Sequence, residues 1–231
     1  MLNIISEKLN LPRKTTFNTS PDFNEYVKTK CKYSTENDEE GLPLTIPLGS
    51  KIITSEDIFN NILSIRHENQ LIEKRTEQQK KEYHEAKYSK INFKSMEDLD
   101  WLKKQNAARQ KTATSFVTER VGRRVEQFSN GETALDYFNK AFESGRLYIL
   151  DEPENSLSPI FQLQLSNLIT ECAHYLDCQF IIASHSPFIL SIQDAKIYDL
   201  DFVPTQCREW YELENMQIYF ELFKKYEVDF Q

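Results

Sequence analysis

The feature that most constrains the fold is a short apolar segment that runs directly into two acidic residues. Residues 147–150 read Leu-Tyr-Ile-Leu, and Asp151, Glu152 and Pro153 follow immediately. An uninterrupted apolar run of this length predicts a strand that is buried on both faces, which is typical of a parallel sheet. Because charges are costly to bury, the two carboxylates at its end need either solvent or a partner.

Strands alternate with helices in the C-terminal third of the chain, and this order predicts an α/β fold with a mostly parallel sheet. The predicted elements are a strand at 147–150, a helix at about 159–175, and further strands at 179–183 and 196–200. Closer to the N-terminus, residues 42–53 are apolar but interrupted by proline and glycine. This composition predicts short strands joined by turns. Ser55 is then expected to cap a long helix.

Residues from about 56 to 127 are rich in Glu, Lys, Gln and Arg and contain few helix breakers, which predicts a helical arm. Residues 71–111 hold eleven Lys or Arg against seven Asp or Glu, although the whole chain has a net charge of −8. This basic stretch is either a solvated helical face or a surface for DNA or a partner protein. The overall negative charge argues against a chain that is wholly a nucleic-acid binder.

The composition predicts a soluble, cytoplasmic protein. Hydrophobic residues make up 39% and charged residues 28%, an ordinary balance for a globular domain. No apolar run approaches the ~18 residues of a membrane span, and the first residues are too polar for a secretory signal. The four cysteines lack metal-ligand spacing, so reduced thiols are expected.

The acids after the predicted strand are suited to metal and proton chemistry. Ligands of parallel sheets bind beyond the carboxyl ends of the strands. Asp151 there can hold the water shell of Mg²⁺, and Glu152 can orient or deprotonate an attacking water. The alternative is structural: the two carboxylates cap the next helix or pair with a nearby basic group.

Two further segments favour phosphate binding. Residues 129–132 read Ser-Asn-Gly-Glu, a capping box at a helix N-terminus, where free N–H groups and the helix dipole attract phosphate. Gly131 would let the backbone approach a ligand closely. His185 follows the apolar strand at 179–183 and is expected at the same sheet edge as Glu152, where it can sense a γ-phosphate. Each of these features also has a purely structural explanation.

Together these segments resemble the ABC-type ATPases, and most closely the AAA-domain ATPases related to SMC-like heads. Residues 147–152 resemble the Walker B motif, and residues 155–159 resemble the D-loop that follows it. Residues 129–132 resemble the signature motif, and His185 resembles the switch histidine. The resemblance covers about residues 127–200 well and the rest of the chain loosely.

The resemblance implies a P-loop NTPase-like head that binds ATP and Mg²⁺ and hydrolyses ATP between two subunits. Residues 1–55 and 146–231 would form the core of this single head, and residues 56–145 a helical arm that ends in the signature motif. The implied site residues are Glu152 and His185 for catalysis, Ser129, Asn130, Gly131, Glu132 and Ser158 for the nucleotide, and Asp151 and Glu56 for the metal. Glu56 falls at the Q-loop position, but this match is unspecific, and a helix-capping role for Ser55 and Glu56 is the preferred explanation of that placement.

One motif of the family is absent from these 231 residues. No glycine is followed by lysine, so the phosphate-binding P-loop, G-x-x-x-x-G-K-[ST], does not occur. Residues 1–9 resemble the helix that follows the P-loop, which implies that the first strand and the P-loop are missing. A truncated product, a late start codon or a fragment would explain this, as would a subunit that has lost ATP binding. Weak ATP binding is expected in either case.

Two alternatives to an ATPase stay open at this point. The first is a non-enzymatic interaction subunit that keeps the fold without the nucleotide site. The second is a metal-dependent nuclease that uses Asp151, Glu152 and Glu154, although this leaves residues 129–132 unexplained. The expected partners are a second copy of the chain or another ATPase subunit, with DNA or a protein on the helical arm.

Overall fold

The structure, a computed structural model, describes residues 1–15, 20–37, 40–88, 99–121 and 129–230. The chain divides into two compact units, one of Met1–Asn60 with Phe128–Gln231 and the other of Asn61–Gln127. All the site residues predicted from the sequence belong to the first unit. The finer division of the head at residues 55 and 146 stays a prediction.

The first unit is built around a parallel sheet of three strands. In chain order these are β1 (Lys51–Thr54), β2 (Leu147–Asp151) and β3 (Gln179–Ala183), and β2 lies between the other two. The register pairs Thr54 with Asp151 and Asp151 with Ala183. All three strands therefore end at the same edge, and the predicted mixed α/β fold with a parallel sheet is confirmed.

Strand β2 is the buried centre of this unit, as its apolar sequence predicts. Tyr148, Ile149 and Leu150 are completely buried. Ile149 packs with Leu2 and Ile52 in one apolar cluster. Because each fully buried aliphatic side chain contributes roughly 1.5–3 kcal/mol, this strand anchors the sheet against the helix that begins at Leu2.

Several helices of the first unit begin at residues that follow local capping rules. Serines stand at the N-caps of several helices, and proline occupies the first helical position after Ser20, Ser158 and Ser186, where its missing N–H costs nothing. The helices of this unit are α1 (Leu2–Lys8), α2 (Pro21–Lys30), the start of α3 (Ser55–Tyr88), α6 (Asn130–Ala141), α7 (Pro159–Tyr175), α8 (Pro187–Leu190) and α9 (Glu214–Lys225). The predicted helix at 159–175 is confirmed.

Two strand predictions need correction. Residues 42–53 were expected to form several short strands, but in the described part of this segment only β1 is a strand, with one isolated bridge between Asn37 and Pro43. The strand expected at 196–200 exists as β4 (Ile197–Asp199), but it does not join the parallel sheet. It pairs antiparallel with β5 (Gln206–Arg208), because a short turn returns the chain beside it.

The cap of helix α3 also differs from the expectation. Thr54, not Ser55, supplies the cap: its Oγ1 accepts from the Asp57 N–H at 3.4 Å, and Asp57 Oδ2 accepts from the Thr54 N–H at 2.9 Å. Thr54 and Asp57 therefore form a reciprocal capping box at the end of β1. Both are buried, and they hold the junction between strand and helix in one geometry.

The described part of the second unit is helical, as its composition predicts. It contains most of α3 together with α4 (Leu99–Gln110) and α5 (Ala113–Val121). A small apolar cluster of Tyr83, Ala86, Ala108 and Phe116 holds these helices together. Lys104 and Glu82 add an ion pair between α4 and α3.

The C-terminal helix carries apolar side chains that the rest of the described chain does not cover. Only Met216 of α9 is buried, whereas Ile218, Phe220 and Phe223 are more than half exposed. No described helix is both long and apolar enough to cross a membrane, and the four cysteines are free.

A test of the core is Ile149→Ala, which removes the centre of the cluster formed with Leu2 and Ile52. We expect the free energy of unfolding to fall by about 2–5 kcal/mol, because the lost transfer energy adds to the cost of a cavity. Urea unfolding followed by circular dichroism measures it. Leu48→Ala is the control, since Leu48 is 97% exposed and should change stability by less than about 0.5 kcal/mol. Equal effects of the two changes would contradict the assignment of the core.

Candidate functional site

The edge of the sheet at Asp151 is followed by a turn in a strained conformation. Glu152 has φ +46° and Ser156 has φ +71°, and residues other than glycine adopt this left-handed region rarely and at a cost. The Glu152 N–H donates to the Ala183 carbonyl at 2.9 Å, which continues the pairing of β2 with β3 by one residue. This hydrogen bond therefore fixes the position of the first residue of the turn relative to β3.

The loop after β2 reaches the loop after β3 through one carboxylate. Glu154 Oε1 accepts the backbone N–H of His185 at 2.7 Å. Within the same loop, Asn155 Nδ2 donates to Glu152 Oε2 at 2.8 Å. The predicted acid Glu152 and the predicted histidine His185 therefore lie on two loops that are hydrogen-bonded to each other.

The carboxylates at this edge repel one another. Burial raises the pKa of Asp151 above its ordinary value, and the negative charges of Glu152 and Glu154 raise it further. The amino group of Met1 and the guanidinium of Arg13 act in the opposite direction on the same pKa, with smaller effect than burial. A cation bound beside these carboxylates would favour their ionised form.

Residues 129–132 form the capping box that the sequence predicts. Ser129 Oγ accepts from the Glu132 N–H at 3.3 Å, and Glu132 Oε2 accepts from the Ser129 N–H at 2.8 Å. These hydrogen bonds lower the pKa of Glu132. The arrangement satisfies donors that a helix N-terminus otherwise leaves to solvent or a ligand.

Gly131 has a packing role that the sequence does not reveal. A Cβ atom added to Gly131 would lie 2.3 Å from Cδ2 of the Phe161 ring, well inside van der Waals contact. Gly131 is buried, whereas Ser129, Asn130 and Glu132 are exposed. The glycine therefore lets the start of α6 rest on the first turns of α7, and phosphate approach is not needed to explain it.

The remaining predicted residues lie at exposed positions. Ser158 is the N-cap residue of α7, without a capping hydrogen bond from its side chain. Glu56 is exposed in the first turn of α3, two residues after Thr54. Among the described residues, no three His, Cys, Asp or Glu side chains are arranged to hold one metal ion together.

Two residues gain importance from the structure alone. The sequence offers Glu154 only as a third acid for a nuclease, and it offers Gln162 no role. In the structure Glu154 accepts the N–H of His185 in the loop after β3, and Gln162 accepts a hydrogen bond from Ser186 at 2.7 Å. No local pattern signals such contacts, because the partners are more than twenty positions apart in the chain.

The raised pKa of Asp151 predicts a pH dependence of stability. A carboxyl that binds its proton more tightly in the folded state contributes stability below the pKa of the unfolded chain, and this contribution is lost as pH rises through the folded-state pKa. Asp151→Asn has no carboxyl to ionise at this position, so the variant does not lose this stability as pH rises. The free energy of unfolding of the variant relative to the wild type should therefore grow from about pH 4 upward. Urea unfolding at several pH values measures the difference. Glu227→Gln, at an exposed site, is the control, and a difference that does not vary with pH would contradict the prediction.

The capping box predicts a modest and specific loss of stability in Ser129→Ala. The free energy of unfolding should fall by about 1 kcal/mol, because the Glu132 N–H loses its acceptor. Thermal unfolding at neutral pH measures this. Ser129→Thr keeps a hydroxyl acceptor and should retain most of the stability. A threonine variant as unstable as the alanine variant would argue that the site matters through packing.

The chain is similar to one described protein family. A family model described as "AAA domain, putative AbiEii toxin, Type IV TA system" matches residues 53–191. A search of curated proteins finds no match to the chain. The matched region is more than half of the 231 residues. It contains β2, β3 and the last two residues of β1, together with Asp151, Glu152 and His185. The chain therefore belongs to this family of AAA domains, which are domains of the P-loop NTPase type.

Proposed function

We propose that the chain is the head of an ABC-type ATPase that binds ATP with Mg²⁺ and hydrolyses it between two subunits. The observation that carries this proposal is the pair Asp151 and Glu152 at the end of buried β2, hydrogen-bonded through its loop to the loop of His185. Membership of the AAA family supports nucleotide binding and hydrolysis in general. The ABC-type arrangement, in which two subunits enclose the nucleotide, goes beyond what family membership supports.

The carboxylates of this edge suit Mg²⁺. Magnesium prefers oxygen ligands and is usually held by only one or two carboxylates together with waters and phosphates. The half-buried Asp151 has a raised pKa, caused by burial and by neighbouring acids, and a cation would relieve that repulsion. Glu154 Oε2 is buried and has no hydrogen-bond partner among the residues that the structure describes, so this edge also offers a carboxylate oxygen to a cation.

Three side chains have separate roles in the proposed reaction. Asp151 holds the water shell of the metal, which supplies positive charge beside the transferred phosphoryl group when bound. Glu152 orients the attacking water and accepts its proton, a contribution of typically 10²- to 10⁴-fold in rate. His185, exposed beyond β3, donates a hydrogen bond to the γ-phosphate.

The chain supplies only some of the groups that would bind the triphosphate of ATP. The 231 residues contain no G-x-x-x-x-G-K-[ST] sequence, and this motif supplies most backbone donors to the phosphates in P-loop enzymes. The phosphate contacts that we propose for this chain are weaker than those of a P-loop. We therefore propose that residues 1–231 bind ATP weakly and turn it over slowly.

A second subunit completes the proposed site. Ser129, Asn130 and Glu132 are exposed at the N-terminus of α6, where the positive end of the helix dipole favours phosphate. Ser158 is exposed at the start of α7. We propose that both surfaces face the nucleotide of a partner, which is a second copy of this chain or a related subunit.

The arm is the proposed contact for DNA or a regulatory protein. Lys74, Lys81 and Lys103 are exposed in its described helices. Part of its basic charge is already neutralised within the unit, since Lys104 pairs with Glu82 and Lys111 pairs with Glu119. Any contact with DNA should therefore be weak and strongly dependent on salt.

The alternative is an interaction subunit that keeps the fold without catalysis. The observation in its favour is the missing lysine-containing loop. The two proposals predict different ATP binding and hydrolysis for the polypeptide that the gene encodes. Calorimetric titration with Mg-ATP and a hydrolysis assay separate them, because an interaction subunit would show neither binding nor turnover.

The decisive variant for the ATPase is Glu152→Gln, made in the polypeptide as its gene encodes it. We expect ATP hydrolysis to fall by at least about 100-fold, because the general base is lost. ATP binding should persist, and an ATP-dependent dimer should accumulate, since the amide preserves the shape of the side chain. A phosphate-release assay and light scattering measure the two effects.

The matched control is Glu171→Gln, which changes an exposed glutamate in the last turns of α7, at the opposite end of that helix from Ser158. It should leave both hydrolysis and dimerisation unchanged. Wild-type turnover in Glu152→Gln would refute the assignment of Glu152 as the base.

A further inference from the structure

Two loops of the proposed site are joined by more than one hydrogen bond. We call residues 152–158, between β2 and α7, the acid loop, and residues 184–186, between β3 and α8, the histidine loop. They are separated by the whole of α7 and β3 in the chain. Their relative position therefore depends on the contacts between them.

The first connection is a charged hydrogen bond. Glu154 of the acid loop accepts the His185 N–H through Oε1 at 2.7 Å, and hydrogen bonds to ionised acceptors are about twice as strong as neutral ones. The other oxygen, Oε2, is buried and finds no partner within the described part of the chain. A buried unpaired carboxylate oxygen costs stability, so this residue is poorly explained by stability alone.

The second connection runs through Gln162 on α7. Its Nε2 donates to the Leu157 carbonyl of the acid loop at 2.9 Å, and its Oε1 accepts from the Ser186 hydroxyl of the histidine loop at 2.7 Å. One side-chain amide thus contacts both loops. The hydrogen bonds of Ser186 determine which end of this amide faces which loop.

Ser186 can donate in only one direction. Its Oγ already accepts from the N–H groups of Phe188 at 3.2 Å and Ile189 at 3.4 Å, as the cap of α8. Its proton is left for Gln162 Oε1, so Gln162 Nε2 must face Leu157. Ser186 is also buried, where an unmade hydrogen bond is costly. The relay therefore has a single hydrogen-bond direction.

We propose that Glu154 and Gln162 are positioning residues that couple the acid loop to the histidine loop, so that Glu152, Ser158 and His185 move as one group. Neither residue contacts substrate in this proposal. Glu154 fixes the position of the His185 backbone through its hydrogen bond to the His185 N–H. Gln162 holds Leu157, which precedes Ser158, close to Ser186, which follows His185. The coupling rests on the proposed function for its meaning in catalysis, but its existence can be tested without ATP.

The first test measures amide hydrogen exchange by NMR in the 231-residue chain. Glu154→Ala should speed exchange of the His185 amide by about tenfold, the effect of losing a hydrogen bond to a charged group. Glu154→Gln keeps an oxygen acceptor and should retain most of the protection. Gln162→Leu should speed exchange of the Leu157 amide in the acid loop. It should also speed exchange of the Ile189 amide, which reports on the histidine loop because its N–H donates to Ser186 Oγ.

The matched control is Gln164→Leu, because Gln164 lies on the same helix and is exposed. It should leave exchange in both loops unchanged, and unfolding midpoints should show that every variant is folded. Wild-type exchange at His185 in Glu154→Ala, or an effect of Gln162→Leu on one loop alone, would overturn the coupling.

The second test uses hydrolysis by the polypeptide as its gene encodes it. Glu154→Ala and Gln162→Leu should lower kcat about tenfold and leave KM for ATP unchanged, and Glu154→Gln should restore most of kcat. Accelerated exchange with an unchanged kcat would overturn the positioning role. A wild-type protein that does not hydrolyse ATP would defeat the proposed function instead, and the exchange data alone would then decide the coupling.

Discussion

The parallel pairing of β2 between β1 and β3 is the constraint on which the rest of the described first unit depends. The register brings Thr54, Asp151 and Ala183 to one edge. Because Tyr148, Ile149 and Leu150 are completely buried, β2 can shift neither along nor across its neighbours without exposing its apolar side chains. The acids that follow it therefore leave the core at a fixed place.

What happens beyond that edge depends on hydrogen bonds and charge. The raised pKa of Asp151 comes from burial and from the neighbouring acids, and the loop accepts left-handed conformations at Glu152 and Ser156. Strain and repulsion of this kind persist only where the surroundings enforce them, and they are concentrated at functional sites. They agree with the nucleotide-binding class of the family and with our proposal that a metal belongs here.

Local patterns predicted much of this architecture. The apolar run at 147–150 and the strand at 179–183 are found as expected, and so are the helix at 159–175 and the capping box at residues 129–132. Each of these depends on neighbours within a few positions. One error concerns the choice of partner strand: β4 pairs with β5 and does not join the parallel sheet. The cap of α3 by Thr54 is a local contact, but finding it required knowing where β1 ends.

The sequence by itself determined which chemical groups are present and on which kinds of element they lie: two acids after a buried strand, a histidine after the next, and a glycine-containing cap before a helix. Only the tertiary structure decided which of these groups meet. It joined Glu154 to His185, placed Gln162 between two loops, and gave Gly131 its packing against Phe161. The physical reason is that periodicity and capping are written in nearby residues, whereas contacts between remote segments follow from strand order and register.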